Sequence, residues 1–288
     1  INRTSEGEIS LDVLDRTFRS FQNRYDDKYG GFGKAPKFPK AHDHSYLIKY
    51  WKRTGNINSL SIAEHGLRAM RNGGMYDQIG FGFHRYSTDA RWLVPHFEKM
   101  LYDQAILVQA YLDAYEATGK QYYANIVNEI LEYVIRDMTS KDGAYYSAED
   151  ADSEGEEGKF YVWNMKELEE ILGKESAELY KRVYNLQDDG NWREGKKHKT
   201  NIPHLTKDLQ LLSKEFNITE KKLINSLENI REELFKVRED RIHPQKDDKI
   251  LTDWNGLMIS AFARASVVLA NDKYLEVATN SVNFIIKH

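Results

Sequence analysis

The chain has 288 residues, 41% hydrophobic and 30% charged, enough to bury a sizeable core as one large domain. Its formal net charge of −4, with both signs interspersed, argues against an electrostatically driven nucleic-acid binder, and no basic block or long apolar run points to a membrane. The lack of cysteine excludes disulfides, thiolate catalysis and cysteine-ligated zinc within this chain, and fits a cytoplasmic protein.

The start, INRTSEGE, lacks Met and does not read as a signal peptide, so the chain is expected to be a piece of something longer. Helical spacing is expected over 10–24, with Ser10 as N-cap, and over 43–54 and 58–72. From Phe97 the apolar positions Leu101, Ala105, Val108, Leu112 and Tyr115 recur at i+3 and i+4 steps. After a break at Gly119, Tyr122, Ile126, Ile130, Val134 and Met138 do the same. Helices are further expected at 164–172, 175–185 and 219–236, the last capped by Thr219, then at 254–269 and 274–286. The last pair matches the Phe97–Met138 pair at an offset of 151 residues: Ala110-Tyr111 falls on Ala261-Phe262, and Tyr123 on Tyr274. That pattern reads as a repeated helical hairpin.

The connections alternate between tight (54–57, 118–120, 270–272) and long (26–43, 73–96, 141–163, 238–253). Antiparallel hairpins with that alternation carry all the long loops at one end, which describes an all-α fold, part of an (α/α)6 toroid. A plain helical solenoid is the alternative. About nine or ten helices are fewer than a closed six-hairpin ring needs, so the ring is expected to be incomplete. Residues 186–218 break the pattern and read as an insertion or a long connection before an outer-ring helix, with no chemistry assigned.

Four motifs, GGFGKAPKFP (30–39), GFHRYSTDARWLVPHFEKMLYDQA (82–105), YSAEDADSEGEEGKFYVW (146–163) and DDKILTDWNGLM (247–258), resemble the spermatogenesis-associated thioredoxin-like family. The resemblance implies a six-hairpin glycosidase-type α/α toroid behind an N-terminal thioredoxin-like domain. The chain would be a single-domain fragment of the toroid over 1–288, its partner domain before residue 1 and further hairpins after residue 288. It also implies a fold shared with N-acylglucosamine 2-epimerases, cellobiose epimerases and several glycoside hydrolases, an analogy at the level of fold.

The long loops carry the candidate chemistry. Gly73-Gly74 is expected to end a helix, Gly80 and Gly82 to allow a sharp path, and Pro95 to open a helix on which His96, Lys99 and Asp103 share a face. His84 and His96 would act as acid and base on a sugar, as in a 2-epimerase or isomerase, with Arg85 or Lys99 stabilising a developing enolate. Otherwise His96 packs at a helix start and His84 bonds a loop carbonyl. Glycoside hydrolysis through Glu98 or Asp103 with Glu149 or Asp150 is the second enzymatic reading. The third is a non-catalytic sugar- or protein-binding scaffold beside a thioredoxin-like redox domain.

Phe38, Tyr76, Tyr86, Trp92, Trp163 and Trp254 suit the faces of a small carbohydrate ligand, with Asp77, Asp152 and Asn255 as polar contacts. Glu154 to Glu157 read as a solvated acidic loop. His42 and His44 are further pocket candidates, and His65 reads as structural. The run from Asp150 begins like a calcium loop but places Tyr161 where the bidentate Glu belongs. His198, His204 and His243 show no metal spacing, and no cofactor is implied.

Overall fold

Three tight turns set the architecture. Gly55, Gly119 and Ala270 each occupy the left-handed region, with φ of 74°, 66° and 51°. They fold α2 (Ala41–Thr54) back on α3 (Ile57–Asn72), α4 (Leu101–Thr118) on α5 (Gln121–Tyr133), and α9 (Thr252–Val268) on α10 (Asp272–Lys287). Asn56 and Asn271 cap the returning helices, accepting from the backbone N–H of Asn58 and Lys273. This computed structural model describes residues 12–192 and 199–288; Ser10 and His198 lie outside the described residues.

Helices α2, α4 and α9 stand side by side as the inner layer, with α3, α5 and α10 behind them and α1 (Asp12–Arg24) against α2. The result is an arc of an α/α toroid that does not close. The internal repeat is physical. Tyr111 meets Tyr123 with ring centres 6.3 Å apart, and Phe262 meets Tyr274 at 5.9 Å, so equivalent aromatic pairs join each inner helix to its outer mate. Helix α4 is enclosed nearly all round, burying Leu101, Leu107, Val108, Tyr111 and Leu112 among others. At the α9–α10 edge apolar side chains are uncovered: Val267 is 80% exposed and Ile286 79%.

Helix α6 (Met165–Val183), short α7 (Leu209–Glu215) and α8 (Glu220–Glu239) stand off this arc, since α4 packs directly on α9. Their core of Leu168, Ala177, Tyr180, Ile230 and Leu234 instead closes over Ile79 and Trp163 from the long loops. The segment expected as an outer-ring helix, 219–236, is therefore part of a cover on the loop end. Gly173, at φ 72° and ψ 163°, breaks α6 where two helices were expected.

The long loops converge at the N-terminal ends of the inner helices. Strands β1 (Tyr86–Ser87) and β2 (Pro95–His96) pair antiparallel, and β3 (Lys99–Met100), β4 (Ala148–Glu149) and β7 (Lys246–Asp247) form a three-stranded sheet from three different loops. Lys37 exchanges backbone hydrogen bonds with Ser87 (2.8 Å each way), adding the first loop to the same end. A further hairpin joins β5 (Asp152–Ser153) to β6 (Glu156–Glu157) through Glu154-Gly155, both at positive φ.

Two local expectations are corrected here. Residues 95–100 are extended, and α4 begins only at Leu101, because cross-strand partners on both sides satisfy a backbone that would otherwise coil. Gly73 ends α3 at an ordinary φ of −69°, so it does not serve a left-handed cap. It is required by close approach: a Cβ there would lie 2.3 Å from the carbonyl oxygen of Trp92.

Candidate active site at the loop end

Extended backbone alternates its side chains with a period of two. From His96 to Lys99 this sends His96 and Glu98 to one side, half-buried, and Phe97 and Lys99 to the other, buried. Two chemically different groups result.

The inward group is sealed. Lys99 donates to Asp77 (2.9 Å) and to the Phe81 carbonyl (2.8 Å) beneath the rings of Tyr133 and Tyr161. Arg238 on α8 donates to the other oxygen of Asp77 (2.8 Å), which also accepts the N–H groups of Ile79 and Gly80. Gly80 is glycine because a Cβ would sit 1.8 Å from the Arg238 guanidinium. Burial alone would raise the Asp77 carboxyl, but Arg238 and Lys99 hold it well below the usual range. His84 donates from Nδ1 to the Phe97 carbonyl (2.9 Å) and packs edge-on against Phe97 and Tyr161. Burial, reinforced by the Lys99 charge, lowers its pKa to about 3. Glu149 accepts from Tyr133 (2.6 Å) on the same side.

The outward group is open. Arg85 donates to Glu98 (2.7 Å). His96 donates from Nδ1 to Glu157 (2.7 Å), and its Nε2 lies 3.5 Å from the Glu98 carboxylate. Tyr86 stacks on His96 at 5.0 Å, and Phe38, 43% exposed, lies tilted against Tyr86 at 4.9 Å. Next along the chain, Tyr102 meets Trp254 of α9 edge-on at 4.8 Å.

Asp103 is in the first turn of α4, where the helix terminus favours an anion. Its Oδ2 is nevertheless buried with no hydrogen-bond partner among the described residues. Burial raises its pKa to about 7, opposed by Arg85 and reinforced by Glu98. Further along α4 a cleft of about 300 Å³ runs between the inner helices, lined by Ser45, Lys49, Gln109, Asp113, Ser260 and Arg264. Tyr102, Gln109 and Asp113 recur at helical spacing along α4, and the last two line the cleft.

Of the residues singled out from sequence, Phe38, Arg85, Tyr86, His96, Glu98, Asp103 and Trp254 gather at this open end. His84, Asp77, Lys99 and Glu149 belong to the sealed side, so His84 and His96 are separated by the Phe97 layer. Tyr76 is core and donates to Glu129 (2.6 Å). Trp92 is core and donates to the Tyr29 carbonyl (3.0 Å). Trp163 is fully buried under the Arg241 guanidinium. Asn255 pins the 145 loop to α9, accepting from the Tyr145 N–H (2.8 Å) and donating to its carbonyl (2.9 Å).

Asp150 caps the Asp152 N–H and both are exposed. His42 is exposed, while His44 is buried against Phe32 with its pKa lowered by burial to about 4. His65 bonds Tyr25. Sequence reasoning missed Tyr102 and Glu157. The Glu154-Gly155 turn was the available signal for Glu157, since it folds the acidic run into a hairpin that returns this carboxylate to His96. Among the described residues no group of His, Asp or Glu is arranged to hold a metal, and no helix is long and apolar enough to cross a membrane.

No protein-family model matches the chain. It is 38% identical to human spermatogenesis-associated protein 20 over 300 residues, covering 96% of this chain and 38% of that protein. It is 33% identical to the uncharacterized protein B0495.5 of Caenorhabditis elegans, covering 99% of this chain and 42% of that one. The chain thus spans less than half the length of these relatives. Among solved structures it is similar to the cellobiose 2-epimerase of Bacillus thermoamylovorans B4167, with a TM-score of 0.44 and 11% identity over 96% of this chain and 87% of that one. An α-1,6-mannanase of Salegentibacter sp. HEL1_6 gives a TM-score of 0.45 and 9% identity over 95% of this chain and 69% of that one. With the four loop motifs in place and 38% identity across nearly its whole length, the chain is homologous to a segment of spermatogenesis-associated protein 20.

Proposed function

We propose that the open loop-end cleft binds a carbohydrate and performs acid/base chemistry on it, with Asp103 as proton donor and His96 as base. The observation that carries this reading is the Asp103 carboxyl: buried, unpartnered at Oδ2 and raised to about 7 beside the Arg85–Glu98 ion pair. A carboxyl of that pKa keeps a proton to give at neutral pH, and an acid placed beside a carboxylate of different environment is how one site holds both roles. Glu157 and Glu98 flank the imidazole of His96 and orient it. Phe38, Tyr86, Tyr102 and Trp254 offer ring faces to a sugar, and Gln109, Ser260 and Lys49 offer partners to its hydroxyls.

In this reading His96 removes the proton α to the carbonyl of an open-chain sugar while Asp103 protonates the carbonyl oxygen, leaving a neutral enediol. Return of that proton from His96 to C1, with loss of the C2 hydroxyl proton to Asp103, completes an aldose–ketose isomerisation. Hydrolysis with Asp103 as acid and Glu98 as base is the second reading, favoured by the same pairing of carboxyls.

Proton NMR of aldoses and disaccharides incubated with the protein in deuterated water separates the two. Loss of the C2 proton signal marks the first, and new reducing ends mark the second. Either is expected to vanish in Asp103→Asn. Unchanged turnover in that variant, or no turnover of any sugar by the parent, overturns the proposal.

A further inference from the structure

Described residues within 186–218, a segment given no chemistry by its sequence, wall a groove of about 830 Å³ on the outer face of α3, away from the loop-end cleft. One wall is a stripe of α3 at helical spacing: Ser61, His65, Arg68 and Asn72. The other is made by Asn185, Gln187 and Asn191 together with 204–206 and Asp208. Both pieces of this second wall are fastened. Leu205 N–H donates to the Asn72 carbonyl (2.7 Å), and Asp208 accepts from Arg68 (2.6 Å). Buried Asn201 bonds both the N–H and the carbonyl of Gln187 (2.8 and 3.0 Å).

The charges in the groove do not cancel. Its two carboxylates are engaged, Asp208 by Arg68 and Glu64 by Lys120 and Tyr123. Lys28, its ammonium 4.8 Å from the centre of the Tyr29 ring, and Arg91 stand at one end with no carboxylate within ion-pair distance among the described residues. Burial lowers the pKa of His204 and of His65, so both are neutral lining groups. Gln187 and Thr206 make no side-chain hydrogen bond to the described residues, leaving an amide and a hydroxyl facing the same space. Two cations without a carboxylate partner beside neutral hydrogen-bonding groups, in a volume typical of small-molecule sites, match an anionic, hydroxyl-rich ligand.

We propose that this groove is a second binding site, for a small phosphorylated sugar, with Arg91 and Lys28 taking the phosphate and Gln187, Thr206 and Asn72 the hydroxyls. The test is titration calorimetry at low salt with glucose 6-phosphate, glucose and inorganic phosphate as separate ligands. The proteins are the parent, Arg91→Ala, Lys28→Ala and, as a control for the other site, Asp103→Asn. Saturable binding of glucose 6-phosphate is expected, weakened at least about tenfold by either cation substitution and unchanged in Asp103→Asn. Both cations are exposed, so the ligand-free melting temperature is expected to stay constant. No binding at millimolar glucose 6-phosphate, or binding indifferent to both cation substitutions, overturns the site. Loss in Asp103→Asn moves the ligand to the cleft and also overturns it. Equal affinity for inorganic phosphate overturns the sugar half of the assignment.

Discussion

Asp113 and Arg264 occupy the same position of the repeated hairpin and are joined by a 2.6 Å ion pair between neighbouring inner helices. The repeat thus diverged at one site into complementary charges that fasten α4 to α9. Asp113 is 6% exposed at its side chain and Arg264 29%, so removing this cation leaves a mostly buried carboxylate with only the exposed Lys49, 3.7 Å away, as counter-charge. Arg264→Met is expected to cost about 1–3 kcal/mol in urea unfolding. Asp113→Asn added to it is expected to recover part of that loss, and the double-mutant cycle measures the coupling.

Asp77 holds Lys99 and Arg238 together inside the protein, joining the loop end of the arc to α8. Asp77→Asn leaves two buried cations without their counter-charge and is expected to cost about 3–5 kcal/mol. Its folded pKa is depressed, so its stabilisation is complete above the unfolded carboxylate pKa of about 3.9 and fades as pH falls through the folded value. The stability gap between the parent and Asp77→Asn, followed by circular dichroism from pH 7 down to pH 2, is expected to narrow in the acid limb.

Asp103 has the opposite sign. Raised to about 7 in the fold, it keeps its proton while the unfolded chain loses it above about pH 3.9. Its presence therefore lowers stability progressively from about pH 4 to pH 7, and the loss is complete above. Asp103→Asn is expected to be more stable than the parent at pH 8, by up to about 4 kcal/mol, with the difference gone below pH 4. The same substitution is expected to abolish turnover. A gain in stability with loss of activity is the signature of a functional acid held at the expense of the fold.

Ala270 takes at φ 51° the place that Gly55 and Gly119 hold in the other two hairpins. A Cβ at Gly119 would meet nothing within 4 Å, so the difference between the turns is conformational and not steric crowding. Ala270→Gly is expected to stabilise by about 0.5–1 kcal/mol and Gly119→Ala to destabilise by about 1 kcal/mol, both read from melting temperature.

The helices, the hairpin repeat and the gathering of long loops at one end were legible in the sequence because each is a local or periodic property. Apolar residues at i+3 and i+4 report a buried helical face whatever it packs on, and Gly119 or Asn271 report a turn by backbone preference alone. The four loop motifs carried the homology in the same way. The division of labour within 84–103 was not legible. Helical spacing groups His96 with Lys99 and Asp103, whereas pairing with Tyr86 and Glu149 extends the backbone and divides His96 from Lys99. Long-range partners chose the period, and the period chose which side chains face solvent. The same holds for burial: Asp103 and Asp150 are both loop-end aspartates in sequence, yet α4 and the Arg85–Glu98 pair enclose one and leave the other exposed. Composition and periodicity determined that this chain makes an arc of helical hairpins with a chemically rich end. Only tertiary packing decided which of those residues lose water, and desolvation is what separates a structural charge from a reactive one.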